Sequence, residues 1–135
     1  MRPFARFWEK NMIENWDRYP NFSRKEFACS HCGECDMDSE FMDALQELRN
    51  QFGPMTPSSG YRCAEHRVEK RKAKPGTHNT GKAVDISVSR ADAVRLLRLA
   101  LMDGRFTGFG IQQKGAKRFI HLDSTTTNRP MIWSY

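Results

Sequence analysis

The stretch Pro75–Ser87, PGTHNTGKAVDIS, decides how this chain is read. Its first half is a turn-rich loop that sets one histidine, His78, between Gly76 and Gly81. Its second half alternates. Val84, Ile86 and Val88 project to one side of an extended segment, and Ala83, Asp85 and Ser87 project to the other. One face suits a core, and the other carries a carboxylate that needs a partner if it is shielded from water.

A second stretch has the same form. In Arg118–Asp123, RFIHLD, Ile120 and Leu122 share one face, and Phe119, His121 and Asp123 share the other. If both strands lie in one sheet, Asp85 and His121 converge. His78 then reaches them from its loop, which Gly76 and Gly81 allow to bend closely. Two histidines and one carboxylate form a recurring catalytic zinc set that leaves a fourth position for water. A metal held in this way acidifies water and polarises a carbonyl, as peptide hydrolysis requires. The competing reading is a strand aspartate making hairpin or cap hydrogen bonds, with two unrelated surface histidines.

The rest of the chain suits a single folded unit. Its 135 residues are enough for one domain with one core, and 39% apolar with 28% charged residues is a globular composition. No apolar run approaches the roughly 20 residues of a membrane span. The opening MRPFARFWEKNM interrupts its apolar residues with charge and lacks the apolar centre of a signal peptide. The net charge of +6 favours an anionic partner, whether nucleic acid, anionic lipid or cell-wall polymer, and equally suits a surface that only confers solubility.

Phe4, Phe7, Trp8, Met12, Ile13 and Trp16 fall near helical spacing and predict an N-terminal helix. It would pack on the core or, with Arg2, Arg6 and Lys10, dock to a partner or a membrane surface. SRKE at Ser23–Glu26 has the form of a capping box. Asp38 or Ser39 caps a longer helix with Phe41, Leu45, Leu48 and Phe52 as its stripe, stopped by Gly53-Pro54. MTPSSGYR reads as a short strand, and AEHRVEKRKAK as a helix ended by Pro75-Gly76. Ser89 caps the helix RADAVRLLRLALMDG, which closes at Gly104. TGFGIQ and RFIHLD are strands joined as a hairpin through QKGAK. The tail STTTNRPMIWSY reads as irregular. The predicted class is α+β: a small antiparallel β-sheet flanked by helices.

Three segments together carry a resemblance. SSGYRC (Ser58–Cys63), THNTGKAVDI (Thr77–Ile86) and GFGIQ…FIHLD (Gly108–Asp123) resemble the zinc D-alanyl-D-alanine carboxypeptidases. That family includes phage endolysin peptidases and shares its zinc fold with the hedgehog signalling domain. The likeness spans about residues 20–135, with NFSRKEFAC at the front and RPMIWSY at the end, leaving 1–19 as an N-terminal helical extension. It implies zinc on His78, Asp85 and His121, and a substrate contact from Arg62 near the scissile bond. From Arg62 a charge-assisted hydrogen bond would go to a carboxylate or a developing oxyanion. A structural salt bridge is the plainer role for this arginine.

The chain departs from the resemblance in two places. Many relatives carry Glu or Asp three residues before the last zinc histidine, where this chain has Arg118. The nearest acid is Asp123, about 7 Å along the strand on the same face. It could shuttle the proton, orient His121, or bind zinc itself. Glu65 and His66 are weaker substitutes, and if none serves the domain binds without cutting. The second departure is the run RVEKRKAKPG. Its Arg67, Lys70, Arg71, Lys72 and Lys74 make either a solvated helix face or a patch that captures anionic wall polymer. It lacks the interleaved aromatics that stack nucleic acid bases.

The chain has four cysteines, three of them within CSHCGEC. Cys29, Cys32 and Cys35 at that spacing suit a metal better than a disulfide framework. With Cys63 they could form a second, structural zinc site, in which His31 could replace one thiol. The C-x2-C-x2-C spacing is tight for one tetrahedral ion, so a disulfide through Cys63 and free buried thiols stay open.

The leading expectation is therefore a small zinc metallopeptidase acting on peptidoglycan stem peptides, encoded by a phage. Without a signal peptide it would pass from host cytoplasm to cell wall as a lysin, or travel with the virion beside other virion proteins. One rival is a non-catalytic virion module that keeps the fold, motivated by Arg118. The other is a basic zinc module that binds nucleic acid through CSHCGEC. The scissile bond is left open among a terminal D-alanyl-D-alanine bond (D,D-carboxypeptidase type), an L-alanyl-D-glutamate bond (endopeptidase type) and a crosslink, as is the choice among Zn, Co and Mn.

Overall fold

Alternation along two strands organises the fold. In a computed structural model of the chain, which describes residues 13–72 and 76–135, β2 (Ala83–Ser87) and β4 (Phe119–Asp123) lie side by side and antiparallel. Asp85 is paired directly with His121, and Val84 with Leu122. The strands β1 (Thr56–Ser59), β3 (Gly108–Gln112) and β5 (Met131–Ser134) complete a five-stranded sheet in the order β1-β2-β4-β3-β5. The expected β3–β4 hairpin is present, with Gly110 opposite His121 and Gly108 opposite Asp123.

Val84, Ile86, Ile120, Leu122 and Phe109 turn their side chains to the core face of the sheet, and all are buried. Two helices cover this face. In α2 (Ser39–Phe52) the expected stripe is buried, and Asp38 Oδ2 accepts the Phe41 N–H at 3.0 Å. Gly53 ends the helix at φ 102°, a conformation that favours glycine. In α4 (Arg90–Met102) Ala93, Leu96 and Ala100 form the buried stripe. The result is the α+β class, with helices on one face of the sheet and the polar face of β2 and β4 left to build a site.

Several elements differ from the sequence reading. The tail is not irregular: β5 joins the sheet beside β3, and that one pair is parallel. RPMIWSY shows little polar alternation because its strand lies at a sheet edge, with Met131 and Ile132 exposed. The helix expected over AEHRVEKRKAK shrinks to one turn, α3 (Arg67–Lys70), because Glu69 turns inward to hold its surroundings. Helix α4 closes at Asp103 rather than Gly104, since the Asp103 N–H already bonds the carbonyls of Leu99 and Ala100. At Ser23, the Glu26 carboxylate accepts the backbone N–H at 2.8 Å, and the one-turn α1 (Arg24–Phe27) follows.

Of the predicted N-terminal helix, residues 1–12 lie outside the described residues. Ile13 and Trp16 pack against the core, Trp16–Arg18 is a single 3₁₀ turn, and Tyr19 is buried with its hydroxyl donating to Asp43. Among the described residues no helix is long and apolar enough to cross a membrane.

The two glycines of β3 explain how bulky polar groups fit on a sheet surface. A Cβ at Gly108 would stand 2.1 Å from Asp123 Oδ2, and one at Gly110 would stand 2.8 Å from the Trp133 ring. The carboxylate at Asp123 is fixed from several sides and cannot step away. Gly108→Ala is therefore expected to destabilise the fold by at least about 1–3 kcal/mol through overpacking. A fall in thermal midpoint of several degrees checks this, and an unchanged midpoint would contradict the close contact.

Candidate active site

His78, Asp85 and His121 meet on the polar face of the sheet, and all three are buried. A 3₁₀ turn, Thr77–Thr80, carries His78 over the sheet and ends at Gly81 with φ 76°. The Gly81 carbonyl accepts the Asp38 N–H at 2.9 Å, which ties this turn to the start of α2. On the other side, the Asn79 side chain donates to the Arg62 carbonyl and the Arg62 N–H donates to the His78 carbonyl.

Hydrogen-bond partners assign both imidazole tautomers. His78 Nδ1 donates to the Gly60 carbonyl at 2.8 Å, which leaves Nε2 with a lone pair. His121 Nε2 donates to Asp123 Oδ2 at 2.8 Å, which leaves Nδ1 with a lone pair. Those two nitrogens are 3.3 Å apart, and Asp85 Oδ1 lies 3.2 Å from the first and 3.1 Å from the second. Zinc with N and O ligands at about 2.0–2.1 Å in a tetrahedron spaces them about 3.3 Å apart. The donor set thus fits a small divalent ion in both chemistry and spacing. The Arg62 guanidinium stands 3.6 Å from the second Asp85 oxygen, and this nearby positive charge favours the carboxylate anion that a metal would bind.

Asp123, expected as proton shuttle, ring holder or zinc ligand, contacts His121 at Nε2. It lies behind His121, on the Nε2 side, away from the converging donor atoms. The Arg129 guanidinium grips both its oxygens at 3.0 and 2.9 Å, and Thr125 donates to Oδ1 through both N–H and hydroxyl. Burial would push this carboxyl up, yet the His121, Arg129 and Thr125 hydrogen bonds hold it well below its ordinary range. An Asp–His pair of this kind orients a metal-binding ring and raises its basicity. Trp133 packs its ring on His121 with centroids 5.2 Å apart. Sequence reading missed Arg129, Thr125 and Trp133, since nothing in DSTTTNRPMIW marks which residue turns back onto the strand.

Arg62 lies beside Asp85. Its Nη2 lies 3.6 Å from Asp85 Oδ2, its Nη1 lies 3.7 Å from Glu69 Oε2, and its Nε donates to Ser59 Oγ. Asp85 thus turns one oxygen to the histidines and the other to Arg62. Both line an open cleft of about 670 Å³, together with His66, Arg67, Lys117 and Arg118. Asp85 is the one carboxylate among the described residues that line this cleft. His66 accepts the Val68 N–H at Nδ1, so its Nε2 hydrogen faces Ser30 Oγ. Glu65 does not line the cleft.

Within the basic run, Lys74 lies outside the described residues, and Lys72 pairs with Glu69 at 2.9 Å. Glu69 itself is buried, and it also accepts the Gly76 N–H at 2.6 Å. Burial would raise this carboxyl, but Lys72, the Gly76 N–H and the Arg62 charge together lower it below its ordinary value of 4.5. A depressed folded-state pKa contributes stability above the unfolded value and loses it as pH falls through the folded value. Glu69→Gln should flatten the fall in thermal midpoint below about pH 4.5 relative to wild type. Parallel curves would contradict this.

Of the cysteines, the structure brings Cys29, Cys32 and Cys63 together and leaves Cys35 out. Cys35 lies against the core, and burial pushes its thiol up to about 11. Its side chain was expected in the cluster on spacing alone. The turn at Gly33 instead carries the chain away from the other sulfurs.

An α+β domain thus carries a buried histidine–aspartate–histidine set that could hold a metal ion, with its aspartate facing a cleft. The family model described as Peptidase M15 matches residues 20–123, and the chain belongs to that family of zinc-dependent peptidases. No curated protein and no solved structure matches the chain.

Proposed function

We propose that this chain is a zinc peptidase that cleaves peptidoglycan stem peptides. The convergence of His78 Nε2, Asp85 Oδ1 and His121 Nδ1, each without a hydrogen of its own at the meeting point, is the observation that carries the reading. Zinc held there supplies a nucleophile at neutral pH and polarisation of the scissile carbonyl. Arg62, facing the cleft beside Asp85, is positioned to donate to a substrate carbonyl or carboxylate, where a charged donor stabilises developing negative charge. Asp123 acts through His121, holding its ring, while Arg129 and Thr125 hold Asp123.

The cleft chemistry supports the substrate class. Arg62, Arg67, Lys117 and Arg118 surround it against one carboxylate that faces the metal set. Such a site attracts peptides that carry free carboxylates, as stem peptides do, and electrostatic steering would make association salt-dependent. A phage lysin or virion-borne wall hydrolase is the setting this reading favours. A second reading, a wall-binding module without catalysis, draws on the same observation. No further carboxylate among the described cleft residues stands ready to take a proton, and Arg118 occupies the place of the relatives' acid.

Incubating purified peptidoglycan with zinc and either wild type or His78→Ala tests both. Fragments released by wild type alone support the peptidase, and their masses name the bond. Arg118→Ala should then raise KM several-fold with a smaller change in kcat, because it removes attraction rather than chemistry. No fragments from zinc-loaded wild type on several wall chemotypes, with retained binding, would favour the module.

A further inference from the structure

We propose that Cys29, Cys32 and Cys63 hold a second, structural zinc ion that clamps the Cys29–Cys35 loop to the wall of the catalytic cleft. The three sulfurs lie within 4.8 Å of one another, and those of Cys29 and Cys63 are 3.7 Å apart. Thiolates bound to tetrahedral zinc at about 2.3 Å stand about 3.8 Å apart, whereas a disulfide needs about 2.05 Å. The spacing therefore matches two corners of a chelate.

The backbone supports the same conclusion. Cys29-x2-Cys32-Gly33 folds as a tight knuckle, with the Gly33 N–H donating to the Cys29 carbonyl at 2.8 Å and Gly33 at φ 77°. Gly33 is needed there, since a side chain at that φ is strained. The N–H groups of Cys63, Cys32 and His31 all aim at Cys29 Sγ. Three donors on one sulfur suit a thiolate, the form that binds metal. Cys29 is buried at the base of the site and Cys32 is exposed at its rim, which gives the ion an entry path.

The clamp closes a connection between residues 34 apart in sequence. It acts where the catalytic cleft is built. Cys63 follows Arg62, Gly60 holds the His78 ring through its carbonyl, and the Tyr61 N–H bonds the Phe27 carbonyl at 2.9 Å. Fixing Cys63 thus fixes the segment that positions both Arg62 and His78. Metal held between segments this far apart in sequence would add its binding free energy to that of folding.

The cysteine set shares no residue with His78, Asp85 and His121, so the two sites can be tested apart. Metal content and cobalt(II) absorption should be measured on reduced wild type, His78→Ala, Cys32→Ser and Cys35→Ser. The expected result is two zinc ions per chain in wild type and Cys35→Ser, and one in His78→Ala and in Cys32→Ser. A thiolate-to-cobalt charge-transfer band should appear in all but Cys32→Ser. Absence of that band from His78→Ala, or its loss in Cys35→Ser, would overturn the assignment. A Cys29–Cys63 disulfide persisting in wild type under the same reducing conditions would overturn it as well. Loss of wall hydrolysis with the band retained would touch only the catalytic reading.

Discussion

Replacing His121 by alanine is expected to abolish hydrolysis and catalytic zinc binding together. The substitution removes one of three ligands from a set whose donor atoms lie 3.1–3.3 Å apart. It also strips Asp123 of the ring it supports. Losing the several kcal/mol of charge stabilisation a metal supplies corresponds to about a 10³-fold or larger fall in kcat/KM. Steady-state kinetics on a stem peptide, paired with zinc affinity from chelator competition, checks this. Undiminished turnover would remove the metal centre from the mechanism.

Asp123→Asn carries the second large effect, and it separates two roles. The amide can still accept from His121, but it loses the charge that balances Arg129, whose side chain is only 8% exposed. Breaking a buried ion pair by removing one partner costs about 3–5 kcal/mol. Loss of an outer partner of a metal-binding histidine weakens metal affinity about 10–100-fold. The expected variant is therefore less stable, binds zinc more weakly, and recovers most of its kcat once saturated with zinc. A large fall in kcat that persists at saturating zinc, with affinity unchanged, would instead identify Asp123 as the proton shuttle.

The cluster of His78, Asp85 and His121 was legible because strand periodicity is strict. Once Val84 and Ile86 face the core, Asp85 cannot, and the same rule fixes His121 against Ile120 and Leu122. Pairing β2 with β4 then places the two polar residues opposite each other. His78 was legible through the glycines around it, of which Gly81 takes the left-handed conformation. Helix α2 was legible from its cap and stripe.

Other features depend on side-chain and strand contacts that leave no periodic mark in the sequence. Arg129 reaches back six residues to Asp123 from a segment without periodicity, and β5 pairs with β3 past the intervening strand β4. Glu69 sits in a run of cations that reads as a solvated face, yet its side chain turns inward to Lys72 and Gly76. The cysteines were partly legible. The C-x2-C spacing of Cys29 and Cys32 marks a knuckle, but only the tertiary fold distinguishes Cys63, which joins them, from Cys35, which does not.

The most direct test of the metal centre is an anomalous difference map, recorded at the zinc edge from crystals of the zinc-loaded protein. The account predicts a peak bonded to His78 Nε2, Asp85 Oδ1 and His121 Nδ1, with Asp123 outside bonding distance behind His121. A zinc-loaded crystal with no peak among those three atoms, or with Asp123 as a direct ligand, would contradict it.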